Sequence, residues 1–415
     1  MKQKKILIIS YTYPPNPGVG GIRIKNIACY LNNRGYLTYV LTTKLPYLLK
    51  DDNNNIIQTD ELLSSNQKLR DNIFFSNSIL DFLLGISVFE KVIRYIKYFY
   101  YFPDRYKWWY KYALPKAEKL FSKHKFDIVI SSSIPIVAHF VTAKLKKKYK
   151  FYWIAEFRDL WTYNHYYPTD FIYTFFSKRI ERKVLKFSDS LVTVSPPLAK
   201  NLAKIHPSKP ITVITNGFEP IEQVIDKLDD YFTITYTGTL YEGRRDPTLL
   251  FSSVKKLIKE NKIDCEKIKI RFYGPHDGWL DKLITKFSLE DIVCQCGNID
   301  RDGILKIQAS SQLLLLLMYD HPEEKGVYTA KVFEYLNARR PIIALGRKDS
   351  VINDLLANTK TGLISNNENE IRNYLVHAYE QFVKTGSVQY NGVNEEIMKY
   401  SFDKLILKYI SIFKA

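Results

Sequence analysis

Cysteine is scarce in this sequence. The four in 415 residues, Cys29, Cys265, Cys294 and Cys296, sit at irregular spacings that build no disulfide framework. Cys294 and Cys296 stand one residue apart on an expected strand, facing one way, with no histidine cluster beside them. The pair reads as buried thiols, not a zinc site, and such usage fits a reducing compartment. Long apolar runs are missing too. Ile6–Ile9 is strand length and soon meets Pro14 and Pro15, so it does not read as a signal peptide. Ile79–Phe89 is too short to span a bilayer and carries Asp81. The dinucleotide fingerprint G-x-G-x-x-G is absent, and the second strand ends in Thr42-Thr43-Lys44 without a ribose-binding acid, which argues against a nicotinamide cofactor. Acid is in deficit: 43 Asp and Glu against 61 Lys and Arg leave a net charge of +18. Such an excess asks for an anionic partner, whether nucleic acid, membrane surface or substrate.

What is present is the composition of a globular protein, 46% hydrophobic and 25% charged, with length for two or three domains. Lys5–Ser10 reads as a strand, Gly20–Leu31 as a helix and Tyr36–Thr42 as a second strand. That order implies a parallel sheet with helices on its faces. Gly20 and Gly21, at the helix start, let backbone amides meet phosphate or sugar oxygens. Strands follow at 126–131, 151–157, 190–195 and 211–214, with helices at 136–148 and, strongly basic, at 171–187. Asn216-Gly217 is a turn, and the acidic, aperiodic residues 218–231 read as a linker. A second array has strands at 232–236, 268–273, 292–296, 313–318 and 342–345. The expectation is an α/β protein with two Rossmann-like domains, 1–217 and 232–395, and an amphipathic helix, Phe402–Phe413, in the closing segment 396–415.

Three stretches carry chemistry. Glu323–Gly346 reads as loop, helix, turn and strand. Gly326 permits close backbone approach, Thr329 is placed to cap a helix at 330–338, and Val332, Tyr335 and Leu336 form its core stripe. Lys331 falls in the first helical turn, where the macrodipole disfavours a cation. A bound anion would account for it, and Glu334 could then accept hydrogen bonds from a ribose diol; the alternative is a surface Lys331–Glu334 pair. Strand 232–236 ends in Thr237-Gly238-Thr239, and Arg244 and Arg245 follow before Pro247 opens a helix, an arrangement suited to a diphosphate. Tyr273-Gly274-Pro275 closes the next strand. Asp300-Arg301-Asp302 has the D-x-D pattern of metal-dependent sugar transferases, but it opens a helix, where charge complementarity accounts for both acids. In the N-terminal half, strand 151–157 delivers Arg158, Asp159 and Trp161 to its carboxyl end, where open α/β sheets bind ligands. Arg158 and Asp159 could equally pair with each other. His139 lies on helix 136–148. Residues 86–125 mix bases with aromatics, which suits nucleic-acid stacking, a membrane surface or bases snorkelling over buried rings.

Taken in order, PPNPGVGGIR, FPDRYKWW, EFRDLW, VTVSPPLAKNL, VITNGFE, YTGTLYEGRRDP and GVYTAKVFEYLNARRPIIALG resemble the group 1 (family 4) glycosyltransferases of bacterial surface-polysaccharide biosynthesis. The resemblance implies the GT-B fold: two Rossmann-like domains facing a central cleft, the C-terminal one for the donor and the N-terminal one for the acceptor, with the last helix crossing back. It implies a retaining, metal-independent transfer that needs no cofactor. The sugar would pass from a UDP- or GDP-sugar to a saccharide or polyprenyl-diphosphate-linked acceptor in capsule, O-antigen or exopolysaccharide assembly. It assigns the donor to Gly20, Gly21, Gly238, Arg244, Arg245, Tyr273, Gly274, Gly326, Tyr328, Thr329, Lys331 and Glu334, and the acceptor to Arg158, Asp159, His139 and Trp108. Arg244 and Lys331 would stabilise the departing diphosphate, and Asp159 would position the acceptor or act as a base. Gly326 stands where the family has the first glutamate of its E-x7-E motif, with Glu323 or Glu324 as substitutes. Thr239 stands where many members have an arginine, for which Arg245 could compensate.

Two other classes fit less well. A GT-B sugar-nucleotide epimerase would leave FPDRYKWW and the basic aromatic surface unexplained. Intact Arg244, Lys331 and Glu334 argue against a non-catalytic binder of nucleotide sugars or other anionic ligands. Because the densest positive charge lies in the acceptor domain, nucleic acid is set aside. The expected partner is an anionic membrane surface, met peripherally on the cytoplasmic face by Lys97, Arg105, Lys107, Lys111 and Lys116 together with Tyr98, Tyr101, Trp108 and Trp109.

Overall fold

Apolar strands separated by amphipathic helices can bury both strand faces only in a parallel sheet covered on each side, and this chain builds one twice. The computed structural model describes residues 3–14, 19–44, 55–59, 100–164, 171–220, 227–319 and 321–413. It divides into two units, Met1–Ile214 with Ile406–Ala415, and Thr215–Leu405. The polar loop expected at 51–55 lies outside the described residues but for Asn55, as do the apolar segment Ile79–Phe89 and residues 221–226 of the expected linker.

The first unit runs β1 (Lys5–Ile9), α1 (Val19–Asn33), β2 (Leu37–Thr42), β3 (Ile56–Gln58), a 3-10 turn at Lys107–Trp109 leading into α2 (Tyr110–Lys123), β4 (Ile128–Ser133), α3 (Val137–Lys146), β5 (Tyr152–Phe157), α4 (Phe171–Val184), β6 (Ser190–Thr193), α5 (Pro196–Ile205) and β7 (Ile211–Val213). All pairs are parallel, in the order β3-β2-β1-β4-β5-β6-β7. The strand expected at 126–131 is shifted to 128–133. Its three serines are buried, and two of their hydroxyls are taken up locally: Ser131 by His139 and Trp153, Ser133 by the Glu156 carbonyl.

The second unit runs β8 (Phe232–Thr237), α6 (Thr248–Lys259), β9 (Ile268–Tyr273), α7 (Gly278–Phe287), β10 (Val293–Gly297), α8 (Arg301–Ser310), β11 (Leu313–Leu317), a 3-10 turn at Pro322–Gly326, α9 (Ala330–Ala338), β12 (Ile342–Leu345), α10 (Val351–Thr359), β13 (Gly362–Ser365), α11 (Glu368–Thr385), α12 (Asn394–Met398) and α13 (Phe402–Ile412). Its six strands are again parallel, in the order β10-β9-β8-β11-β12-β13. Cys294 and Cys296 are not buried thiols. Cys294 is exposed and Cys296 half-buried, their sulfurs 3.7 Å apart, because β10 is the outermost strand, where coverage ends.

The end of α13 belongs to the first unit, and a buried charge holds it there. Arg23 of α1 lies 2.8 Å from a Glu156 carboxylate oxygen, donates to the Ile214 carbonyl at 2.9 Å and stands 3.1 Å from the Tyr409 hydroxyl, which itself donates to Glu156. Removing one partner of such a buried pair typically costs about 3–5 kcal/mol.

In each sheet the strand order reverses once, between β1 and β4 and between β8 and β11. The crevice at the carboxyl ends of such strands is where doubly wound sheets take ligands.

Candidate functional site

In the second unit, the start of α9 meets the end of β8 at the switch point, and the ends of β9 and β10 continue that carboxyl edge. The Gly238 amide donates to the Tyr273 carbonyl at 2.6 Å and the Gly274 amide to the Gly297 carbonyl at 2.9 Å, so the three loops run side by side. Gly238 has φ +116°, and a Cβ there would overlap the Lys331 stem. That passage carries Lys331 to the Tyr236 hydroxyl, to which Nζ donates at 2.6 Å. Burial first, and then Arg245, pushes the Lys331 ammonium down to about 7, with Glu334 opposing.

Arg245, not Arg244, shares this place. Residues 241 to 243 all have positive φ (56°, 53° and 89°), and this turn sends the two arginines apart. Arg245 goes inward. Its Nη2 is 3.9 Å from Glu324, a carboxylate only 3% exposed, and its Nη1 is buried with no hydrogen-bond partner. Arg244 goes outward, to an open cavity of about 870 Å³ that it lines with Tyr241, His276, Trp279 and Lys282. The structure thus brings Lys331 together with Arg245 and leaves Arg244 apart from them.

Thr329 does occupy the cap position of α9 in extended conformation, but it does not cap. Its hydroxyl is buried without a partner, so the first-turn amides receive nothing from it. Tyr335 fixes the helix from below: its hydroxyl accepts from the Thr237 amide and donates to the Leu315 carbonyl, each at 3.1 Å. Glu334 is half-buried. Burial raises its pKa, while Arg301, Gln308 and Lys331 oppose the shift. Gln308 also donates to the Thr237 hydroxyl at 3.0 Å. A solvated Lys331–Glu334 pair is thus not what forms.

Arg301 and Gln308 were not singled out by sequence; only the position of Arg301 in the first turn of α8 hinted at it. Asp300 accepts from the Gly303 amide at 2.9 Å and caps that helix, the role its position suggested. Tyr273 is buried and Tyr328 packs on Phe333 at 5.5 Å between centroids. Gly326 is buried and brings no carboxylate, whereas Glu324 does; the Glu323 side chain lies outside the described residues.

In the first unit, Arg158 leaves the end of β5 and lies against Gly20 at the start of α1, where a Cβ would overlap its guanidinium. Its Nε donates to the Ser133 carbonyl at 3.0 Å and its Nη2 to the Ile134 carbonyl. Burial lowers its pKa; Asp159 is the largest opposing influence. Gly21 backs onto Tyr13. A cation thus stands at a helix start in this unit as well.

Two assignments here are corrected. His139 does not face an acceptor: it is wholly buried, its Nδ1 2.7 Å from the Ser131 hydroxyl and its ring 4.7 Å from Phe157, because α3 turns this residue onto the sheet. Burial pushes its imidazole down to about 3. Trp109 is no interface residue: it is wholly buried against Tyr11, and its Nε1 donates to the Thr59 hydroxyl at 2.9 Å.

Trp108 is 39% exposed, with the ammonium groups of Lys107 and Lys111 5.2 and 4.8 Å from its ring. Asp104 anchors this segment by accepting from the Ile136 amide at 2.6 Å and the Tyr106 amide at 2.8 Å. Lys97 and Tyr98 lie outside the described residues. Among the described residues, no three His, Cys, Asp or Glu side chains converge as metal ligands, and no helix is long and apolar enough to cross a membrane.

Residues 20–221 match the family model Glycosyltransferase Family 4. No curated protein sequence matches the chain. Solved structures match its whole length. A glycosyltransferase from Rickettsia africae is 15% identical, with 100% of this chain and 98% of that one covered at a TM-score of 0.65. Sucrose-phosphate synthase from Thermosynechococcus elongatus is 14% identical, with 99% and 98% covered at 0.64. Anabaena HepE in complex with UDP and glucose is 14% identical, with 99% of each chain covered at 0.61. The family resemblance drawn from short motifs thus holds over residues 20–221, and the two-sheet fold is that of these neighbours throughout.

Proposed function

From a chain that has the GT-B fold and matches Glycosyltransferase Family 4 over residues 20–221, we propose a retaining glycosyltransferase that takes its sugar from a nucleoside-diphosphate donor. The observation that carries this reading is Lys331, half-buried in the first turn of a helix beside Arg245. Two cations there repel each other and oppose the macrodipole, an arrangement that a bound diphosphate relieves. As the glycosidic bond to the β-phosphate breaks, negative charge gathers on the leaving group. Lys331, Arg245 and the uncapped amides of α9 stabilise it as preorganised donors. Because cations and amides supply that charge, the transfer needs no metal. Glu334, with Gln308 and Arg301 beside it, suits the ribose diol. The UDP and glucose bound to Anabaena HepE favour UDP over GDP as the first nucleotide to try.

Arg158 and Asp159, at the carboxyl end of β5, are assigned to the acceptor, a saccharide or a lipid-linked saccharide of surface-polysaccharide assembly. Trp108 with Lys107 and Lys111 is proposed to meet an anionic membrane surface, and the proposed setting is the cytoplasmic face. The test is nucleotide release from a panel of UDP- and GDP-sugars, with and without lipid-linked acceptor, in EDTA. Acceptor-dependent release that Lys331→Met abolishes is expected. Epimerised donor without transfer, or no turnover of any donor, would overturn the proposal.

A further inference from the structure

We infer that the first two turns of α4 insert into the membrane surface, while the basic remainder of the same helix face holds its anionic headgroups. The inference rests on the membrane reading above and names the element that carries it. The helix reads FIYTFFSKRIERKV. Its inward side is fixed by Tyr173, Ser177, Glu181 and Val184, all buried at helical spacing. Glu181 is held there by hydrogen bonds from the Thr162 amide and hydroxyl and by His206 at 3.1 Å. The outward side is therefore set as well, and it is apolar: Phe171 is 82% exposed, Ile172 51%, Phe175 49% and Phe176 46%.

A solvent-facing helix surface is ordinarily polar, and four large apolar side chains within two turns are not the scattered exposures of a soluble surface. The same side continues into Arg179, Arg182, Lys183 and Lys186, all exposed. The one acid of the helix is the buried Glu181. An apolar tip followed by cations, with no exposed acid, complements a bilayer in which rings settle at the acyl boundary and cations at the phosphates.

The position of the helix agrees. α2 packs on α3 and α3 on α4. Crossover helices run antiparallel to their strands, so α2 and α4 both begin at the carboxyl edge of the first sheet. Phe171–Phe176 and the group of Lys107, Trp108 and Lys111 thus share one edge of this unit.

The experiment is co-sedimentation of the full chain with phosphatidylcholine vesicles, with and without phosphatidylglycerol, at low and high salt. The variants are Phe171→Ser/Phe175→Ser/Phe176→Ser and the single Phe171→Ser, which alters the most exposed ring and so spares the fold. Circular dichroism and melting temperature serve as fold controls. Wild type should prefer anionic vesicles and keep part of its binding at high salt, since apolar insertion is not screened. The triple variant should lose at least about tenfold in partitioning and the single variant a smaller part. Wild-type binding that both variants retain would overturn the role of α4 and leave the membrane reading standing. No binding by wild type to either vesicle would end both. Self-association of lipid-free wild type that the triple variant abolishes would make the patch a protein interface and overturn the inference.

Discussion

The stem of Lys331 occupies the space that a side chain at position 238 would fill. A methyl group there must displace the lysine, and it must also be carried at φ +116°, a conformation that costs residues other than glycine about 1–3 kcal/mol. Gly238→Ala should therefore lower the melting temperature and weaken UDP binding together, by about tenfold or more in affinity. A calorimetric titration that finds normal affinity in a folded Gly238→Ala protein would show that Lys331 need not sit where it does.

The three bases of the second unit should separate by position. Lys331→Met and Arg245→Met should each weaken UDP binding by about 1.5–3 kcal/mol, the range for charged hydrogen bonds. Arg244→Met, altering a side chain on the outer face of the 241–243 turn, should change affinity by less than about 0.5 kcal/mol, as surface substitutions do. The opposite ranking would return the phosphate to Arg244.

Donor binding should also depend on pH. With its ammonium pushed down to about 7, Lys331 is largely neutral in the free protein above that pH, and an arriving diphosphate must draw a proton onto it. A phosphate's last proton leaves near pH 6, so above pH 7 the ligand's own charge is constant. UDP affinity should fall as pH rises from 7 to 9, by up to about tenfold per unit. Lys331→Arg, which stays charged, should flatten that slope. Equal slopes in the two proteins would remove Lys331 from the binding equilibrium.

Much of this was legible in the chain, and the failures have local causes. Lys331 could be picked out because a cation in a first helical turn is a local contradiction. The choice between Arg244 and Arg245 could not, because it hangs on three successive positive φ values in a stretch with a single glycine, Gly243. The exposure of Cys294 depends on β10 being the outermost strand, which is a property of strand order and not of the strand. In α4 the usual pattern is inverted: Ser177 and Glu181 face inward because Glu181 has partners in Thr162 and His206, and the phenylalanines face out. Strands β3 and β13 and helices α5, α7, α10, α11 and α12 are not among the expected elements.

His139 gives the last prediction, one of stability. Its imidazole is pushed down to about 3 in the folded chain, from an ordinary 6.5, and the cause is burial. Between those values the unfolded chain holds a proton that the folded chain refuses. Stability from this group is therefore full above pH 6.5 and is lost as pH falls, by up to about 1.4 kcal/mol per unit. His139→Gln keeps a polar group near the Ser131 hydroxyl and cannot titrate. Its level of stability will differ, so the slopes are what matter: between pH 6.5 and 4 the variant's melting temperature should fall less steeply than that of wild type. Parallel acid limbs in the two profiles would mean that His139 is not the buried neutral group described above.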